Sequence, residues 1–279
     1  MSYHSPAEQS SSPSAAGVTL YLLGPPRLEW EGHALPLSRR QVRALLYRLA
    51  AEGHSLPREQ LCYLFWPDVP EATARRNLTG LLSHIRRTLP VPDILVTQND
   101  HVGLSPEGTW VDVAAFRQQA ATQGALGTLA SLQQAAALYQ GRFLEGFSLP
   151  KNPELESWIT LERQSYERLY LEVLAALIDR KAVSGEYDEA IVYGRRYLAT
   201  DGLAEEIHRR LIELYVTTGD RGRALRQFER CTEILERELG VAPLPETVAA
   251  YRTALNGRSP TTAVEPVHQP AWTPLPTAN

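Results

Sequence analysis

The stretch Glu71–Leu89, EATARRNLTGLLSHIRRTL, decides the fold. At about 100° per residue, Ala74, Leu78, Leu81, Leu82, Ile85 and Leu89 fall on one side of a helix. Thr73, Arg76, Gly80, Ser83 and Arg87 fall opposite. Asn77 and His84 take one shoulder, Arg75 and Arg86 the other. An apolar back packs on a core, and a front of arginines and short polar side chains suits phosphates and base edges. No acid follows Glu71 within the segment to repel a polyanion. The pattern predicts a DNA-recognition helix. Thr73, Asn77 and Ser83 are its candidates for base-edge hydrogen bonds, and Arg76 for a bidentate pair with guanine. Arg87 shares that face. Arg75 and Arg86 suit phosphates or local ion pairs, and His84 a phosphate or solvent. Gly80 costs roughly 1 kcal/mol of helix propensity relative to alanine, and either permits close approach to the groove or is simply tolerated.

The neighbours of this helix give it a setting. Residues 18–37, VTLYLLGPPRLEWEGHALPL, alternate and turn like short antiparallel strands. Ser38 with Gln41 reads as a capping box opening a first helix, which Gly53 ends. A second helix is expected around Pro57, broken by Trp66-Pro67-Asp68. After Pro90, ILVT, the turn Gln98-Asn99-Asp100 and HVGL read as a β-hairpin. Sheet, three helices and hairpin follow in the order of a winged helix-turn-helix over residues 18–111, whose third helix enters the major groove. Gln98, Asn99 and His101 on the hairpin either reach flanking DNA or form only a turn. Arg39, Arg40 and Arg43 touch backbone phosphates or are solvated charge. The connection 66–71 reads as a turn with Trp66 in the core.

From Asp112, which can cap the next helix, the pattern becomes helical through residue 256. An offset of 34 residues pairs Leu169 with Leu203, Val173 with Ile207, Leu177 with Leu211 and Ile178 with Ile212. It continues through Gly185 with Gly219, Ala190 with Ala224 and Ile191 with Leu225. Thirty-four is the tetratricopeptide period. The expected fold is mainly α with a small β component: a winged helix, then an all-α TPR-like repeat domain over 112–256. Tyr166, Tyr170, Tyr187, Tyr193, Tyr197 and Tyr215 read as packing residues of that domain. Residues 1–17 read as a disordered tail and 257–279 as a proline-rich linker.

Bulk composition narrows the function. Residues 38–90 hold nine Arg and four Asp or Glu, a local +5, within a chain of net charge −4. Residues 118–256 carry sixteen Lys or Arg against twenty acids. Cys62 and Cys231 are far apart, which disfavours a disulfide scaffold and suits the cytoplasm. There is no signal peptide or span-length apolar run, so no membrane role is expected. A GxxxxGK[ST] phosphate loop, HExxH, CxxC and GxSxG are all absent from the sequence, so neither catalysis nor a cofactor or metal is expected.

Four motifs in the first half, LLGPPRLEWEGHALPLSRRQVRALLYRLA, WPD, ARRNLTGLLSHIRRTL and HVGLSPEGTWVDVAAF, resemble the OmpR-type winged helix of Streptomyces antibiotic regulatory proteins. The rest, from QQAAALYQGRFLEGF to ERELGVAPLPET, is similar to the bacterial transcriptional activator domain. The resemblance covers roughly residues 18–255. It implies a cytoplasmic activator that binds promoter direct repeats as a homodimer and contacts RNA polymerase, the 66–71 loop being one meeting point. Larger members continue into a STAND-type ATPase, and WTPLPTAN resembles the linker before one. The competing reading is a repeat-based scaffold whose winged helix docks protein; the near-neutral balance of residues 18–117, +1, keeps it open.

Overall fold

The computed structural model describes residues 17–121 and 128–256. The N-terminal tail, apart from Gly17, and the proline-rich linker lie outside them. The chain forms two compact units, dividing between Thr200 and Asp201.

The first unit opens with strands β1 (Val18–Tyr21), β2 (Arg27–Trp30) and β3 (His33–Ala34). Three helices follow, α1 (Arg40–Glu52), α2 (Arg58–Phe65) and α3 (Glu71–Thr88), with the short strand β4 (Leu56–Pro57) before α2. Then come β5 (Leu95–Gln98), β6 (His101–Leu104) and β7 (Thr109–Val111). One sheet runs β3-β2-β1-β7 and the other β4-β6-β5. The β1–β2 pair is antiparallel and β1–β7 parallel, in the register Val18 with Thr109 and Leu20 with Val111. Gly17 makes that parallel start possible. At φ +155 it leaves no room for a Cβ, which would sit 2.7 Å from the Gly108 carbonyl.

Helix α1 does not begin at a capping box. Arg39 occupies its N-cap with no side-chain cap bond, and the extended backbone leads into Arg40. Burial of Val42, Leu45, Leu46 and Leu49 on the sheet side holds this helix, at roughly 1.5–3 kcal/mol each. Gly53 ends it in the left-handed region. Pro57 lies just outside α2, at its N-cap. Helix α3 stops where the sequence requires, because Pro90 drives Leu89 to an extended φ −73, ψ 135.

Helices α4 (Asp112–Ala121), α5 (Leu129–Leu138), α6 (Pro153–Val183) and α7 (Tyr187–Thr200) complete the first unit. They share one core with the winged helix. Phe143 stacks on Tyr166 at 5.2 Å, Phe116 lies 6.2 Å from Tyr166, and Tyr139 stacks on Tyr170 at 4.0 Å. Tyr166 and Tyr170 are buried, while Tyr187, Tyr193 and Tyr197 are half-buried. Backbone bonds tie residues 142–145 to the end of β1: Leu144 donates to Leu22, and Gly24 to Arg142. Arg163 caps the other side of that segment, donating to the carbonyls of Phe143, Leu144 and Phe147. Asn152 donates to the Phe65 carbonyl while its Oδ1 caps α6.

Asp112 stands at the centre of these ties. Its carboxylate, 1% exposed, accepts the backbone N–H groups of Leu22 and Leu23 at 2.8 and 2.9 Å and also that of Val113. The junction of the two sequence modules therefore lies inside the first unit.

The second unit contains α8 (Glu205–Thr217), α9 (Arg221–Leu239) and α10 (Pro245–Asn256). The 34-residue offset is visible in the elements: 171–183 of α6 corresponds to α8, and α7 to the first fourteen residues of α9. Gly185 and Gly219 both turn at φ +76. The pairing of Leu169 with Leu203 has no structural counterpart, because Leu203 lies in a turn before α8.

Burial outweighs the three N–H donors and raises the Asp112 carboxyl from 3.8 to about 6. The neutral form is therefore favoured in the fold, so this group's stabilisation is complete below pH 4 and lost as pH rises toward 6. The loss is on the order of 3 kcal/mol. Asp112→Asn, with an acceptor oxygen and no charge, is expected to flatten that part of the urea-unfolding pH profile. Asp112→Ala leaves these buried N–H groups unpaired and should cost about 2–5 kcal/mol below pH 4, a difference that shrinks as pH rises toward 6. An unchanged unfolding midpoint in Asp112→Ala would show that the carboxylate is not what closes the junction.

Candidate nucleic-acid interface

Helix α3 presents the face its sequence predicts. Ala74, Leu78, Leu81, Leu82 and Ile85 are buried, and Arg76, Asn77, Gly80, Ser83 and Arg87 are exposed. Thr73 and His84 are half-buried beside this stripe. Among the described residues, Arg76 makes no ion pair and no side-chain hydrogen bond. Arg87 donates from Nε to the Ser83 carbonyl at 3.2 Å, which lays its guanidinium along the helix. Gly80 has open space where a Cβ would stand. Its lack of a side chain serves no internal packing.

The hairpin β5–β6 stands beside the opposite shoulder of α3. Its register pairs Gln98 with His101, and Asn99 and Asp100 turn at φ 49 and 61, the type I′ geometry. Gln98, Asn99 and His101 are exposed at its tip, with His101 Nδ1 2.8 Å from the Asn99 carbonyl. Two arginines of α3 reach this wing. Arg86 donates to Thr97 Oγ1 at 2.8 Å. Arg75 donates to Glu71 at 2.8 Å and to both Asp100 oxygens at 3.1 Å. The hydrogen bonds to Glu71 and then Asp100 favour its charged form. Within the chain, then, Arg75 is ion-paired and Arg86 is hydrogen-bonded to a hydroxyl of the wing.

The structure thus gathers the candidates from 73–87 and 98–101 onto α3 and the wing next to it, while Arg39, Arg40 and Arg43 lie at α1. It also brings in Arg58, Thr79 and Asp100, which the helical pattern did not single out. Arg58 donates to Thr79 at 3.4 Å and approaches Asp100 at 3.8 Å. The turn signal placed Asp100 at the wing tip, but its approach to Arg75 is a contact across 25 residues of sequence.

The arginines of α1 divide. Arg39 and Arg40 are exposed, whereas Arg43 lies over the Phe147 ring at 5.7 Å. Arg48 is buried, pairs with Glu52 and lies over Trp158 at 4.7 Å. Two of the nine arginines behind the local +5 therefore point into the protein. Trp66 is half-buried on the core, 5.7 Å from Phe65, leaving Asp68, Pro70 and Glu71 exposed in its loop.

A three-helix reading head with a wing, followed by helical hairpins, is the architecture of a winged-helix transcription regulator. The chain belongs to the family described as bacterial transcriptional activator domain, whose profile matches residues 111–255. It is a regulator of the Streptomyces antibiotic regulatory protein type. It is 26% identical over 253 residues to the transcriptional regulatory protein MoaR1 of Mycobacterium tuberculosis, covering 87% of this chain and 80% of the relative. It is 25% identical over 270 residues to the regulatory protein AfsR of Streptomyces griseus. That match covers 94% of this chain and 26% of AfsR. Among solved structures, Mycobacterium tuberculosis EmbR in complex with a low-affinity phosphopeptide superposes with a TM-score of 0.60 at 20% identity. The overlap is 86% of this chain and 65% of that one, and shows the shared fold.

Because Gly80 is exposed, helical and unobstructed, Gly80→Ala should stabilise the first unit by about 0.5–1 kcal/mol. Urea unfolding measures it. A destabilised variant would mean that the glycine answers a structural need.

Proposed function

We propose that the chain is a cytoplasmic transcriptional activator that binds promoter direct repeats through α3 and the wing. Residues 18–111 read DNA in this scheme. Residues 112–256 serve dimerisation, signal input or contact with RNA polymerase, which Asp68, Pro70 and Glu71, exposed in the 66–71 connection, also suit. The observation that carries the reading is the exposed, acid-free stripe of α3 standing next to a hairpin. A helix that enters the major groove presents such a stripe, and a wing beside it meets the flanking backbone. The family of the chain and the regulatory relatives it resembles support the same reading.

The roles follow from position. Arg76, unpaired and near the N-terminal end of the stripe, is free to form a bidentate pair with guanine. Thr73, Asn77 and Ser83 carry hydrogen-bonding groups to base edges, and Gly80 lets the helix backbone approach. Arg87 and His84 meet phosphates. Gln98, Asn99 and His101 meet the flanking groove. Arg86 holds the wing against α3 through Thr97.

Fluorescence anisotropy on a duplex selected by the chain from a random-sequence library tests this. Binding should weaken steeply with salt. Arg76→Ala should cost about 1–3 kcal/mol and relax sequence preference, whereas Arg87→Ala should weaken all sequences alike. Wild-type affinity in both variants would remove α3 from the interface and favour the protein-docking scaffold.

A further inference from the structure

Between α3 and the wing lies a cluster of four charges: Arg58, Arg75, Glu71 and Asp100. Arg75 bridges Glu71 on its own helix and Asp100 at the wing tip, and Arg58 approaches the same Asp100 carboxylate from the start of α2. The Arg58 backbone N–H donates to the Asp100 carbonyl at 2.8 Å, fixing the tip close to both guanidinium groups. Two cations thus converge on one carboxylate. Two arginines focused on one anionic group are a phosphate-binding arrangement.

The cluster's place makes this specific. A helix in the major groove and a hairpin in the next minor groove stand on either side of one strand of backbone. The cluster occupies the gap between α3 and the wing. We propose that Asp100 is an internal stand-in for a DNA phosphate. In the free protein it holds Arg58 and Arg75 in position, and on the duplex a backbone phosphate takes its place between them. This rests on the DNA-binding reading above and adds to it a phosphate site that Asp100 guards.

The balance of interactions permits the exchange. The Asp100 side chain is 54% exposed and that of Arg75 38%, so their pairing is a surface ion pair of small net worth. Arg58, at 22%, is less exposed and keeps Thr79 as a partner when the carboxylate leaves. The duplex brings a phosphate with its counterions released, a larger gain than the pair it displaces. Glu71, exposed at the first turn of α3, remains to orient Arg75 through its Nε. The site weakens binding to any polyanion that does not seat on α3 and the wing together, because such a ligand meets the Asp100 charge undisplaced.

The test uses the full chain, the library-selected duplex and a salt series on wild type, Asp100→Asn, Arg58→Gln and the double variant. Asparagine accepts the φ of 61 at position 100, so the turn is kept. Asp100→Asn is expected to tighten binding by about two- to fivefold. Arg58→Gln should lower the slope of log K against log salt by about one. In the double variant Arg58→Gln should abolish most of the gain. If Asp100→Asn binds no more tightly than wild type, or Arg58→Gln leaves the slope unchanged, the stand-in assignment is overturned while DNA binding itself stands. A wild-type chain that binds no duplex overturns both.

Discussion

A single buried carboxylate organises the first unit. Asp112 begins α4, yet its oxygens are directed backward to the N–H groups of Leu22 and Leu23, ninety residues earlier in the chain. Those two donors lie just past β1, where the strand has ended and the chain turns at Gly24. Left unpaired in the core they would be costly, and no neighbouring strand reaches them. The parallel pairing of β1 with β7 brings Asp112 to them, because β7 ends at the residue before it. Sheet closure, the start of α4 and the docking of residues 142–145 are therefore one event. Helix α3 inherits its position from that event, since α1 and α3 pack on the same core.

This construction also bears on the modest net charge of residues 18–117. Four of the ten acids there are matched in place: Glu29 to Arg27, Glu52 to Arg48, and Glu71 and Asp100 to Arg75. Asp112 is enclosed. What remains unmatched on α3 is Arg76, with Arg87 engaged only by a carbonyl of its own helix. Counting charges over a segment averages away this sorting. A residue balance near neutrality is compatible with a strongly directed positive face, because the field at a ligand depends on which charges are already compensated nearby.

Most of the candidate interface's geometry was legible because it rests on local rules. The 3.6-residue period of α3 separates Leu78 from Arg76 without any tertiary information. The turn at Asn99-Asp100 and the helix boundaries at Gly53 and Pro90 follow from backbone preferences. Local rules also misled. Ser38 and Gln41 satisfy the capping-box pattern, but the chain stays extended to Arg39 and α1 is held by its buried face. Leu203 matches the repeat register and still falls in a turn, since the equivalent helix begins at Glu205. Arg43, read as a phosphate contact or solvated charge, instead lies over Phe147, and Arg48, counted only within the local charge, lies over Trp158. Arg58 and Asp100 were illegible for a different reason. Each is ordinary within its own element, and their significance comes from the wing folding back on α3.

The packing of α4–α7 with the winged helix bears on how such proteins can be recombined. Joining a foreign effector at residue 111 would divide the chain where its modules meet in sequence. The cut would remove Asp112 and, with it, the acceptors for Leu22 and Leu23, and would uncover the side of α2 to which Asn152 is bonded. The natural seam for a chimera lies between Thr200 and Asp201. A graft made there transfers the winged helix together with the scaffold that shapes it.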